Sequence, residues 1–164
     1  MPSDALKWVE SHNQHLTLKF IGDLPEKSLP EAIKILQSAL RDQPAFSIRI
    51  KGLGAFPNWQ NPRVVWLGIQ HDQDLIDLHK RIEDSLSRIG IPAEGRKFSP
   101  HLTIARLRRN SERDAAGLIG KTLSQFKIDS LGTAIIDQIQ FYQSDLTPKG
   151  PIYSSLQIFP LNKV

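Results

Sequence analysis

Apolar positions along this chain follow two periods. From residue 15 to 20 they alternate strictly, with Leu16, Leu18 and Phe20 on one face and His15, Thr17 and Lys19 on the other. A period of two predicts a half-buried strand with a polar open face. Shorter β-branched or aromatic runs predict further strands at 6–9, 46–50, 63–69, 101–104, 126–128, 133–142 and 153–159. The helical period takes over elsewhere. Leu29, Ala32, Ile33, Leu36 and Leu40 predict a helix over 25–40, with Pro30 in its tolerant first turn. Leu75, Leu78, Ile82, Leu86 and Ile89 predict a second over 72–89, closed by Gly90. Ser111 reads as the N-cap of a third, ending near Leu123. The strands come in adjacent pairs between helices. That order predicts an α+β fold with antiparallel pairing. No linker interrupts it, so residues 1–164 read as one domain.

Composition narrows the chemistry. The 164 residues are 40% hydrophobic and 23% charged, which is enough to build a core. There is no cysteine, so disulfides, thiolate nucleophiles, iron–sulfur clusters and cysteine zinc sites are excluded. A reducing, cytoplasmic setting is expected. No apolar run approaches the ~20 residues of a membrane helix, and no signal peptide is expected at the N-terminus. The net charge is +4. Residues 88–113 hold seven basic and two acidic side chains, a local +5, so all of the positive excess sits there. Such clustering favours an anionic partner, phosphate above all, against the simpler reading of a solvated basic face.

One tetrapeptide occurs twice. His15-Leu16-Thr17-Leu18 and His101-Leu102-Thr103-Ile104 lie 86 residues apart, just over half the chain. Each puts His and Thr on one strand face and two aliphatics on the other. Self-similarity at half length predicts two related lobes about a pseudo-two-fold axis. Their polar faces would then meet and gather two imidazoles and two hydroxyls. Imidazole titrates near pH 6.5, so one ring can be neutral while the other is protonated. Such a pair can deprotonate a nucleophile and protonate a leaving group on opposite sides of a phosphorus atom. The threonines can donate to non-bridging phosphate oxygens.

With these residues in view, the chain resembles the two-histidine (2H) phosphoesterase superfamily. Within it, the chain is similar to the LigT-like family of 2′-5′ RNA ligases and RNA 2′,3′-cyclic phosphodiesterases. The resemblance rests on residues 15–22 and 98–106, with support from 52–57, 63–68 and 153–156. It implies a bilobal fold of two antiparallel sheets facing a central groove, helices outside, and one His-x-Thr motif in each lobe. It implies metal-independent opening of a terminal 2′,3′-cyclic phosphate to a 2′-phosphomonoester, with reversible 2′-5′ joining of RNA ends. Carried over, His15 is the general acid, His101 the base, and Thr17 and Thr103 the phosphate holders; the residues themselves, being pseudo-symmetric, leave open which histidine plays which role. Arg106 also matches the family pattern; strict alternation puts it on the face opposite His101, so a site role for it needs a bulge or a strand end. Phe56, Phe98 and Tyr153 are candidates to wall the site and stack on a base. The family's usual first strand and helix are expected to be missing here.

The partner implied is an RNA or oligonucleotide end bearing a 2′,3′-cyclic phosphate, with no cofactor, no membrane and no obligate protein partner. Two other readings compete: an RNA-binding module of the same fold with little catalysis, and a phosphodiesterase for small cyclic nucleotides. Both motifs keep their His and Thr, which favours catalysis. His12 reads as a surface-loop residue. His71 and His79 lack metal-ligand spacing, no metal cluster is visible, and no Gly-rich nucleotide loop is present.

Overall fold

A computed structural model describes residues 5–70, 73–108, 113–147 and 150–163. In chain order the elements are β1 (Leu6–Trp8), α1 (Leu29–Leu40), β2 (Phe46–Phe56), β3 (Val64–Ile69), α2 (Gln73–Ser87), β4 (His101–Leu107), α3 (Arg113–Leu123), β5 (Gly132–Ile136), β6 (Gln138–Thr147) and β7 (Gly150–Pro160). Five strands form one sheet in the order β1-β4-β3-β2-β5, and β6 pairs with β7 in a two-stranded antiparallel sheet. The pairs β1–β4, β4–β3 and β3–β2 are all antiparallel. The α+β class and the antiparallel pairing follow the chain's periodicities.

Contacts divide the chain into two units. The first holds the described residues up to Thr17, Arg49–Gln70, and Ser99 to Ala134. Its core is Ala5, Val65, Ala105, Leu107 and Ile119, with Leu6, Leu53 and Ile104 packed against it. The second holds Leu18–Ile48, the described residues of 71–98, and Ile135 onward. There α1 packs on α2, and Ala32, Leu36, Leu40, Leu75, Leu78, Ile82 and Leu86 are buried. These are the positions the helical period selects. Beyond the end of α2, Gly90 takes φ 84°, and the Ile91 amide donates to the Leu86 carbonyl at 3.1 Å. A left-handed residue there lets the chain close the last turn, which glycine does without strain.

Several elements differ from the sequence reading. Residues 17–20 form no regular strand, and the first motif is tied in only by an antiparallel bridge from Leu16 to Leu102. The division between the two units falls at Thr17–Leu18. Residues 126–128 are not a strand; the Ile128 carbonyl instead accepts the Gly52 amide at 2.8 Å. The run 133–142 is split at Asp137, whose carbonyl accepts the Leu161 amide. Ser111 lies outside the described residues.

Candidate active site

The first unit's sheet sorts its side chains by register. Val65 stands opposite Ala105 and Leu6 opposite Leu107, and all four belong to or pack on the core. Alternation then puts Trp66, Gly68 and Val64 of β3 on the open face. Their partners on β4 are Thr103, His101 and Arg106. Those partners share a face only because the register shifts between Val65 and Trp66. Ile104 is the extra residue, a bulge that packs toward the core and reverses the alternation after it. The bulge that Arg106 needs to share a face with His101 is thus present. Arg106 is exposed on the histidine face.

His15, Thr17, His101 and Thr103 all fall in the first unit. Leu16 bridges Leu102 antiparallel. That register sets His15 beside Thr103 and Thr17 beside His101, with the four polar side chains on the face away from the two leucines. The two rings are held alike. His15 Nδ1 is 2.8 Å from the Asn13 carbonyl, and His101 Nδ1 is 2.7 Å from the Ser99 carbonyl, each two residues upstream. A carbonyl only accepts, so each Nδ1 carries its hydrogen. In the neutral ring the basic lone pair is then on Nε2. His15 is exposed and His101 half-buried.

Aromatic rings surround His101. Phe56 meets it edge-on at 5.0 Å between centroids, and Trp66 lies at 5.9 Å. Phe56 and Trp66 are themselves 5.2 Å apart. Gly54, the cross-strand partner of Trp66, provides the floor: a Cβ there would run into the indole ring. The indole Nε1 is buried without a hydrogen-bond partner among the described residues. Sequence reasoning selected Phe56 but passed over Trp66. The available signal was Gly54 and Gly68 at alternate positions of facing strands, the mark of a bulky neighbour lying flat.

The other two aromatic candidates belong to the second unit. Phe98 stacks on His79 with centroids 3.9 Å apart and planes at 13°. Tyr153 packs edge-on against Tyr142 at 5.9 Å on the β6–β7 sheet. Beneath the Phe98–His79 stack lies a polar knot. Lys19 Nζ, its side chain 2% exposed, donates to Glu83 Oε2 at 2.8 Å and to the Pro92 carbonyl at 2.9 Å. The Glu94 amide donates to the same oxygen of Glu83, and the Phe20 amide to Glu94 Oε1. Burial pushes the His79 imidazole below its ordinary value, against the nearby carboxylates of Glu83 and Glu94 and with the Lys19 charge. Among the described residues no group of three or more His, Asp or Glu is arranged to hold a metal. No helix among them is long and apolar enough to cross a membrane.

Residues 2–145 match the family model described as the 2′-5′ RNA ligase superfamily. An RNA 2′,3′-cyclic phosphodiesterase of Methanothermobacter thermautotrophicus is 33% identical over 95% of this chain and 83% of its own. One of Archaeoglobus fulgidus is 36% identical over 94% of this chain and 84% of its own. A solved protein of Thermus thermophilus superposes with a TM-score of 0.80 at 27% identity, covering 99% of this chain and 85% of that one. Escherichia coli LigT, solved with 3′-AMP, shares the fold with a TM-score of 0.73 at 24% identity, over 98% and 84% of the two chains.

Proposed function

Because the chain belongs to the 2′-5′ RNA ligase superfamily, we propose that it is an RNA 2′,3′-cyclic phosphodiesterase acting on RNA ends. Relatives with that name match along more than nine-tenths of this chain. The observation that carries the reading is the matched pair of imidazoles, each tied through Nδ1 to a backbone carbonyl two residues upstream. The absence of cysteine fits a cytoplasmic site of action.

The reaction runs as an in-line displacement. His101 Nε2 takes a proton from water as the water oxygen attacks phosphorus. The bond from phosphorus to the 3′ oxygen breaks, and His15, in its protonated form, gives its proton to that oxygen. The product is a 2′-phosphomonoester with a free 3′ hydroxyl. Thr17 and Thr103 donate to the non-bridging oxygens, where charge develops. Arg106 adds positive charge on the same face. Two imidazoles account for both proton transfers, so the reaction proceeds without a metal ion. If the 5′ hydroxyl of a second RNA replaces water, the same displacement leaves a 2′-5′ linkage.

The deciding experiment is product analysis on a short RNA ending in a 2′,3′-cyclic phosphate, with a chelator present. A 2′-phosphate product is expected at an undiminished rate. Exclusive formation of the 3′-phosphate would overturn the regiochemistry. Activity that returned only with an added divalent ion would overturn the metal-independent mechanism.

A further inference from the structure

His101 takes its orientation from the residue two places before it. Its Nδ1 donates to the Ser99 carbonyl at 2.7 Å, and that bond leaves Nε2 of the neutral ring as the basic nitrogen. The bond is only as steady as the carbonyl that accepts it. Residues 97–100 belong to no helix or strand, so no ladder fixes Ser99. Ser99 is held instead through its two neighbours. Pro100 restricts it to extended backbone, and the Pro100 carbonyl accepts the Ile69 amide at 3.2 Å. On the other side, the Phe98 ring lies flat on the His79 ring, with centroids 3.9 Å apart and planes at 13°.

His79 has a firm base. It stands on α2 one turn before Glu83, whose Oε2 accepts both Lys19 Nζ at 2.8 Å and the Glu94 amide at 3.1 Å. Leu75, Leu78, Ile82 and Leu86 bury the apolar face of the same helix. The ring under Phe98 therefore rests on a helix secured at both its apolar and its charged positions. From His79 to the catalytic imidazole there is one ring stack, one backbone step and one hydrogen bond.

We propose that His79 is a positioning residue for catalysis. Through Phe98 it fixes the Ser99 carbonyl, and that carbonyl keeps the hydrogen of His101 on Nδ1 and the lone pair on Nε2. His79 acts only through Phe98 and transfers no proton itself. The consequence for rate rests on the reading of the site as an RNA cyclic phosphodiesterase; the consequence for the His101 ring rests on geometry alone.

The test uses the full chain and reads two quantities. Long-range proton–nitrogen NMR correlation at about pH 8.5, where an ordinary imidazole is neutral, shows which nitrogen of His101 carries hydrogen. The His101 signals are those missing from His101→Gln. Wild type should show the Nδ1–H form alone. In His79→Ala a second, Nε2–H population is expected, and His79→Phe, which keeps a flat ring under Phe98, should remove it. On a short RNA ending in a 2′,3′-cyclic phosphate, kcat of folded His79→Ala should fall about tenfold with KM close to native, and His79→Phe should restore most of it. Phe98→Leu keeps apolar bulk but offers no ring to stack, so it should behave as His79→Ala does and decides the matter if His79→Ala fails to fold. A His101 ring wholly in the Nδ1–H form in these variants overturns the proposal. So does a native kcat, or an equal loss in His79→Ala and His79→Phe. If the wild-type protein did not cleave the RNA, the phosphodiesterase reading would fail, and the NMR comparison would still decide for or against His79 as the holder of His101.

Discussion

Leu16 is bridged to Leu102, its counterpart in the second His-x-Thr motif. The sequence offset of the repeat and the spatial pairing are therefore the same 86 residues. An antiparallel pair centred on equivalent residues is two-fold symmetric at that point. Each histidine consequently sits beside the other motif's threonine. The proposed chemistry needs two proton-transfer groups on either side of a phosphate held between hydroxyls.

Loss of either histidine should therefore disable the same step. His15→Ala and His101→Ala should each lower turnover by at least about 10². The double variant should lose little more than the worse single one, because the two act as a unit. Thr17→Ala and Thr103→Ala should each cost roughly 1.5–3 kcal/mol of transition-state binding. Steady-state kinetics on the cyclic-ended RNA checks all four. A folded His101→Ala variant with near-native turnover would contradict the assignment.

The pH–rate profile should be bell-shaped. One ring must be neutral to accept a proton while the other is charged to donate one. The two limbs belong to the coupled pair and to neither ring alone. Measuring kcat/KM from pH 5 to pH 9 tests this, and a monotonic profile would count against paired-histidine catalysis.

Gly54→Ala should impair catalysis through Trp66. A methyl at position 54 meets the indole, which must move off the sheet and loosen the packing on His101. Overpacking of this kind costs about 1–3 kcal/mol of stability. A displaced catalytic ring should lower kcat by about tenfold or more, with KM close to native. A variant with reduced stability but native kcat would show that Trp66 has no part in holding His101.

Breaking the buried pair of the second unit should be costly. Lys19→Met leaves the Glu83 carboxylate, 9% exposed, without its cation. Removing one partner of a buried pair costs about 3–5 kcal/mol. Denaturant unfolding at pH 7 measures it, and Glu83→Gln in the same chain should recover part of the loss.

His79 gives that unit an acid-side weakness. Its imidazole is held below the ordinary value by burial, so the unfolded chain takes up the proton more readily. Stability is full above about pH 6.5 and is lost as pH falls through the lower folded value. Replacing His79 with Gln should flatten the fall in urea midpoint between pH 7 and pH 5. An unaltered slope would remove His79 as its source.

Local pattern carried a good deal of this protein. The alternation of residues 15–18 and 101–104 put His and Thr on one side and aliphatics on the other, and the structure keeps that arrangement around the Leu16–Leu102 bridge. The helical stripes and Gly90 were legible for the same reason: period and capping depend on neighbours a few residues away. The face of Arg106 was not legible, because a bulge at Ile104 is settled by how β4 registers against β3, more than thirty residues earlier. Trp66 read as one residue of an apolar run until Gly54 on the facing strand left it room to lie beside His101. Phe98 packs against His79 and Tyr153 against Tyr142, ring contacts that only the fold brings about. Side-chain alternation is a one-strand property. Register, bulges and ring contacts are properties of pairs distant in sequence, and only the packed chain decides them.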